Sequence, residues 1–113
     1  MNIQSITNLV NGELVTNTTQ PQDITSGLTS DLMSDILTLE TDNAILITGL
    51  NNKQTIRTAE MSDIQCVLIA RNKKVSEDMI TLANQNNIAV IESPFTVFKV
   101  SGLLFTNGII PIY

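Results

Sequence analysis

Apolar and polar positions alternate with two different rhythms along this chain. Ile3, Ile6, Leu9 and Val10 recur at helical spacing, and Gly12 follows as a stop, which predicts an opening helix. Glu13 to Thr16 predicts a short strand, and the polar run Asn17 to Gln22 a loop. Ile24 to Thr29 fits either a strand or an irregular stretch, with Gly27 marking a bend. Ser30 or Asp31 then caps a helix that carries Leu32, Met33, Ile36, Leu37 and Leu39 before Asp42-Asn43 breaks it.

Three short apolar runs follow: Ala44 to Ile47, Cys66 to Ala70 and Ile88 to Ile91. Each is too short for a helix and lacks a polar face, the mark of a strand buried on both sides. Helices are predicted between them. Asn51 or Asn52 caps one over Lys53 to Ser62, whose apolar face (Ile56, Ala59, Met61) is thin, and Ser76-Glu77-Asp78 starts the next. Ser93-Pro94 reads as a cap with Pro at the first helical position, opening a last helix that runs to about Thr106. An apolar tail, Ile109 to Tyr113, closes the chain. Strands alternating with helices across short connections predict a three-layer α/β/α fold with a mainly parallel sheet of four to five strands. A single domain over residues 1–113 is expected, since this length is too short for two ordinary cores.

Composition narrows the function classes. The net charge is −5, which argues against sequence-independent nucleic-acid binding, where phosphate neutralisation supplies most of the affinity. There is no His and no Trp, and only one Cys. That removes the commonest general base, the commonest metal ligand and any intrachain disulfide. Cys66 opens an apolar strand and reads as a small core residue. No nucleophile–base pair is visible, so no catalytic residue, metal or cofactor is assigned. No basic leader precedes an apolar run, and no stretch reaches the ~20 apolar residues that span a bilayer. A cytoplasmic location without membrane contact is the expectation.

Ligands of open α/β sheets sit beyond the carboxyl ends of the strands. Three loops are expected there, and they supply the candidate ligand-binding residues: Thr48, Gly49, Asn51 and Asn52; Arg71 and Lys73; and Ser93, with Arg57 reaching in from the adjoining helix. Gly49 before a helix start offers N–H groups to an anion. Arg71, Lys73 and Lys74 hold half of the chain's positive charge and suit a phosphate-bearing small molecule. The plainer alternatives are a turn with a helix cap, a solvated basic turn, and pairing of Arg57 with Glu60. Asp31 and Asp35 lie four apart, but a cap and an exposed helix charge account for them.

The stretch from Ser26 to Gly108 resembles the DRTGG domain, and in particular the short stand-alone members that accompany iron-only hydrogenase systems. The residues that carry the resemblance are 30–37, Thr48-Gly49-Leu50, 54–61, 67–71 and 98–108. It implies a three-layer fold like the N-terminal domain of HPr kinase/phosphorylase, and a non-catalytic module. In larger relatives the domain accompanies CBS domains in regulated pyrophosphatases that respond to adenine nucleotides, where it helps to form a dimer. The name-giving Asp-Arg would fall near Leu50-Asn51 and the Thr-Gly-Gly near Ala70-Arg71-Asn72; both are absent, so no binding residue is carried over. The combined expectation is a regulatory or protein-interaction module working as a homodimer or with a protein partner, linked to a hydrogenase system. The thin helix face at 53–62 and the apolar tail are the expected contact surfaces. The alternative is a sensor of a nucleotide or other phosphate-bearing ligand.

Overall fold

The computed structural model describes residues 1–18 and 23–112; part of the predicted loop 17–22 and the last residue of the tail lie outside them. Eleven elements follow one another: α1 (Ile3–Leu9), β1 (Glu13–Leu14), β2 (Ser26–Thr29), α2 (Met33–Ile36), β3 (Ala44–Thr48), α3 (Lys53–Met61), β4 (Cys66–Ile69), α4 (Glu77–Gln85), β5 (Ala89–Glu92), α5 (Val97–Thr106) and β6 (Ile110–Pro111). Among the described residues the strands form one six-stranded sheet in the order β1-β5-β4-β3-β2-β6. Only β1 runs antiparallel to its neighbour.

The period-2 geometry of the central strands sorts their side chains onto two faces. Ile45, Ile47, Leu68 and Ile91 point to one side and pack with Ile6 and Val10 of the α1 region and Val100 and Leu104 of α5. Leu46, Val67, Ile69 and Val90 point to the other and pack with Ile36, Ile56, Met79 and Ala83 from α2, α3 and α4. Every residue of β3, β4 and β5 is buried, which is why these runs carry no polar alternation. The result is the three-layer α/β/α arrangement expected from the sequence. Cys66 is fully buried, and burial pushes its thiol pKa up to about 12, so it behaves as a core residue.

Several local readings change. The sheet has six strands rather than four to five, because the tail pairs in parallel with β2 at Ser26↔Ile110 and Gly27↔Pro111. Gly27 is no bend: it lies inside β2, and the absence of a side chain makes room for the methyl groups of Ile109 and Ile45, each 3.1 Å from where a Cβ would stand. The helix expected over residues 32–39 shrinks to α2, whose start has no side-chain cap. Ser30 instead closes a local turn on Leu32, and Asp31 turns away to β3. Ser93 does not cap α5. Its hydroxyl donates to the Val10 carbonyl, and Thr96 takes the cap by accepting from the Lys99 N–H, so Pro94 precedes the helix.

Candidate functional site

Thr48, Ile69 and Glu92 end β3, β4 and β5, and the loops that follow them meet on one rim of the sheet. Asn52 caps α3 through the Thr55 N–H, while the Asn51 side chain donates to the Lys74 carbonyl at 2.8 Å and ties the first loop to the second. The Lys73 Nζ donates to the Gly49 carbonyl at 2.8 Å. The Arg71 side chain lies over Gly49, where an added Cβ would meet its Cδ at 3.2 Å. Thr48, Gly49, Arg71 and Lys73 are therefore brought together, with Asn51 and Asn52 at their edge.

A carboxylate already occupies this cluster. The Asp31 Oδ1 accepts from the Gly49 N–H at 2.9 Å and from the Thr48 hydroxyl at 2.8 Å. The Gly49 N–H and the Thr48 hydroxyl hold its pKa below the usual 3.8 against the opposing effect of burial, with the charges of Arg71 and Lys73 adding a weaker pull downward. Reading Asp31 as a helix cap is thus corrected. The usable signal was its place two residues past a strand, which the uncertain status of 24–29 concealed. A carboxylate whose folded pKa is lowered stabilises the fold fully above its unfolded value of 3.8, and that stabilisation is lost as pH falls through the lower folded value. Asp31→Asn keeps an accepting oxygen and removes the charge. Thermal melts across pH should therefore show the variant less stable than wild type at neutral pH, with the gap closing below 3.8.

Two expected members do not join the cluster. The Ser93 hydroxyl is buried against α1, and Arg57 is exposed on α3; among the described residues no hydrogen bond or ion pair links it to Glu60 or to the loops. A residue missed from the sequence, Glu92, sits at the same rim. It is 8% exposed, accepts from the Val75 N–H at 2.8 Å, and pairs with Lys74 at 3.4 Å. The connection after β4 runs to α4 on one face of the sheet and that after β5 to α5 on the other, so a crevice opens between them. It holds about 270 Å³ and is lined by Asn72, Lys73, Lys74, Glu92, Ser93 and the start of β1. That is smaller than the ~300–1,000 Å³ typical of small-molecule pockets.

Arg71 and Asn72 follow β4 in consecutive left-handed conformations, φ 68° and 59°. Successive N–H groups in such a turn can cradle an anion. Here they donate instead to the carbonyls of Phe95 and Ser93, at 2.7 and 3.0 Å, and fasten the second loop to the third. A left-handed non-glycine residue costs about 1–2 kcal/mol, and glycine would remove that cost at about 0.5–1 kcal/mol of lost chain stiffness. The glycines of the resembled motif would fall here, where the backbone suits them. Arg71→Gly should keep urea-unfolding stability unchanged or raise it by up to about 1 kcal/mol. A clear loss would mean that the side chain's packing on Gly49 outweighs the strain.

A second surface has the opposite character. A groove of about 420 Å³ runs between α5 and the β2–β6 edge, over Gly27, Ile47, Gly102, Leu104 and Ile109, and among the described residues no ionisable side chain lines it. Its polar side chains are quiet: Thr29 and Ser101 bond each other at 3.1 Å. Phe98, Phe105 and Ile110 stand around it 88%, 66% and 60% exposed. The expected contact surface on α3 is corrected: Ile56 and Ala59 are spent on the core, and only Met61 remains exposed. The tail does border the groove, through Ile110, Pro111 and Ile112. The missed signal was that α5 is apolar on both faces, Val100 and Leu104 inward and Phe98 and Phe105 outward.

Among the described residues there is no group of three potential metal ligands and no helix long and apolar enough to cross a membrane. The fold is similar to that in the crystal structure of the CBS and DRTGG domains of the regulatory region of Clostridium perfringens pyrophosphatase, complexed with its activator diadenosine tetraphosphate. The TM-score is 0.76 at 17% identity, over 90% of this chain and 45% of that one. This chain thus spans less than half of that structure, and at that identity the likeness is one of fold. No curated protein matches the sequence. The family model described as the DRTGG domain matches residues 5–106, nearly the whole of the three-layer unit, and the chain belongs to that family.

Proposed function

We propose that this chain is a non-catalytic regulatory module, a single domain over residues 1–113, that works through protein contacts as a homodimer in the cytoplasm. The observation that carries this reading is the uncharged groove beside α5 with three large apolar side chains exposed around it. Contiguous apolar patches of several hundred Å² on a soluble domain usually mark an interaction site. The polar loops make the opposite impression, because most of the groups that could hold a ligand already hold one another. On the resemblance of residues 30–37 and 54–61 to the stand-alone members, we extend the proposal to control of an iron-only hydrogenase system through a protein partner.

The test is the thermal midpoint over a hundredfold range of protein concentration. Folding coupled to dimerisation makes the midpoint rise with concentration, whereas a monomer's stays fixed. A fixed midpoint would refute the homodimer.

A second reading, a sensor of a phosphate-bearing ligand, is favoured by one observation: Arg71 and Lys73 converge on Gly49 beside the crevice at the ends of β4 and β5. In the pyrophosphatase regulatory region of similar fold, of which this chain spans 45%, the CBS and DRTGG domains are complexed with the phosphate-bearing activator diadenosine tetraphosphate. The crevice suits a single phosphate group better than a dinucleotide. Melts with inorganic phosphate and nucleotides, repeated with Arg71 and Lys73 replaced by Ala, test this reading.

A further inference from the structure

We infer that the occupant of the groove is a second copy of this chain, docked through α5 packed antiparallel on its counterpart, with a two-fold axis passing beside Ser101 and Gly102. The inference rests on the homodimer reading and adds its geometry.

The outward face of α5 is Phe98, Ser101, Gly102 and Phe105, spaced i, i+3, i+4, i+7. That spacing forms one continuous stripe, large at both ends and small in the middle. A Cβ on Gly102 would meet nothing within 4 Å, so the notch is open to solvent. Two such stripes fit each other in antiparallel register. The small residues let the helices approach at the centre, and each Phe98 comes opposite the partner's Phe105. In a two-fold contact every pairing occurs twice.

Charge selects the same face. Two copies at −5 each repel, so self-association needs a surface that brings no further carboxylates together. Among the described residues the groove lining has no ionisable side chain. The exposed parts of Phe98, Phe105 and Ile110 amount to roughly 400 Å² per copy, about half of the ~800 Å² that each partner of a stable complex buries. The groove walls supply more.

Among the described residues of the β6 edge, no free N–H is offered for strand addition. The N–H groups of Ile110 and Ile112 point inward to the carbonyls of Thr25 and Gly27, and the Ile109 N–H is bonded to Leu104. The residue between Ile110 and Ile112 is Pro111, which has no N–H to offer an incoming strand. Contact at this edge is therefore made by side chains.

The test is a complementary pair, Phe98→Asp and Phe105→Lys. Each new charge suits its end of the α5 dipole, and both positions are exposed, so each variant should fold as a monomer. In antiparallel register, mixing the two variants places the introduced carboxylate of one chain opposite the introduced ammonium of the other and keeps the second Phe98–Phe105 pair. Native mass spectrometry of the mixture should then show heterodimer at least tenfold above either homodimer. A mixture that stays monomeric while wild type is dimeric would overturn the α5 geometry and leave the homodimer standing. A monomeric wild type would remove both. Gly102→Leu gives an independent check: the added side chain fits the monomer and props the helices apart, so dimer should be lost while the circular dichroism spectrum is kept. Dimer retained by Gly102→Leu would also contradict the proposal.

Discussion

Phe98→Asp should abolish the proposed homodimer without unfolding the chain. Phe98 is 88% exposed in the single chain, so its replacement removes little internal packing, and surface changes of this kind stay within about 0.5 kcal/mol. Position 98 is the second residue of α5, where a carboxylate interacts favourably with the helix dipole. Any stability change in the monomer is therefore small and of either sign. The interface changes far more. Aromatic anchors buried in a contact contribute about 2 kcal/mol or more each, and the two-fold doubles the loss to about 4 kcal/mol, a weakening on the order of 1,000-fold. Light scattering at micromolar concentration should read a monomer, with an unchanged far-ultraviolet spectrum. A variant that remains dimeric would place the contact elsewhere on the surface.

Leu68→Ala should produce the largest loss of folding stability. Leu68 is fully buried in β4, near the middle of the sheet, and packs on the face covered by α1 and α5. Removing three carbons from such a site costs about 3–5 kcal/mol, because the surroundings collapse only partly into the cavity. Domains of this size have about 5–15 kcal/mol in total. The midpoint of thermal unfolding should fall by on the order of 10–20 °C. Leu37→Ala is the matched control: Leu37 is half exposed after α2, and its truncation should move the midpoint by no more than a few degrees.

The elements that were legible in the sequence are those whose burial is symmetric or whose caps are local. Ala44 to Ile47, Cys66 to Ile69 and Ala89 to Ile91 announce themselves because both faces of each strand meet a helical layer. The helix starts at Asn51 or Asn52 and at Ser76 were readable because the caps are local: Asn52 and Ser76 each accept from an N–H three residues on. What could not be read depends on partners far along the chain. Tail residues Ile110 and Pro111 become a strand only because Ser26 and Gly27 lie beside them. Ser93 reads as the cap of α5, but the Val10 carbonyl, 83 residues away, takes its hydroxyl, and the cap falls to Thr96.

The site shows the same division. Loop positions 48–52 and 71–75 were placed correctly at the strand ends, since that follows from the order of elements alone. Their internal chemistry was not visible: Asp31 reaches Gly49 from the end of β2, and Glu92 is taken by Lys74 and Val75. Phe98 and Phe105 lie inside the predicted last helix with no face assigned to them, but the core needs only one face of α5, which Val100 and Leu104 already fill. The exposed second face is the most informative feature of the molecule.

Sedimentation equilibrium of the wild-type protein at micromolar concentration tests the central claim most directly. A self-associating module should sediment at twice 12.3 kDa, with a monomer population growing on dilution. A single species at 12.3 kDa across the whole range would contradict the account.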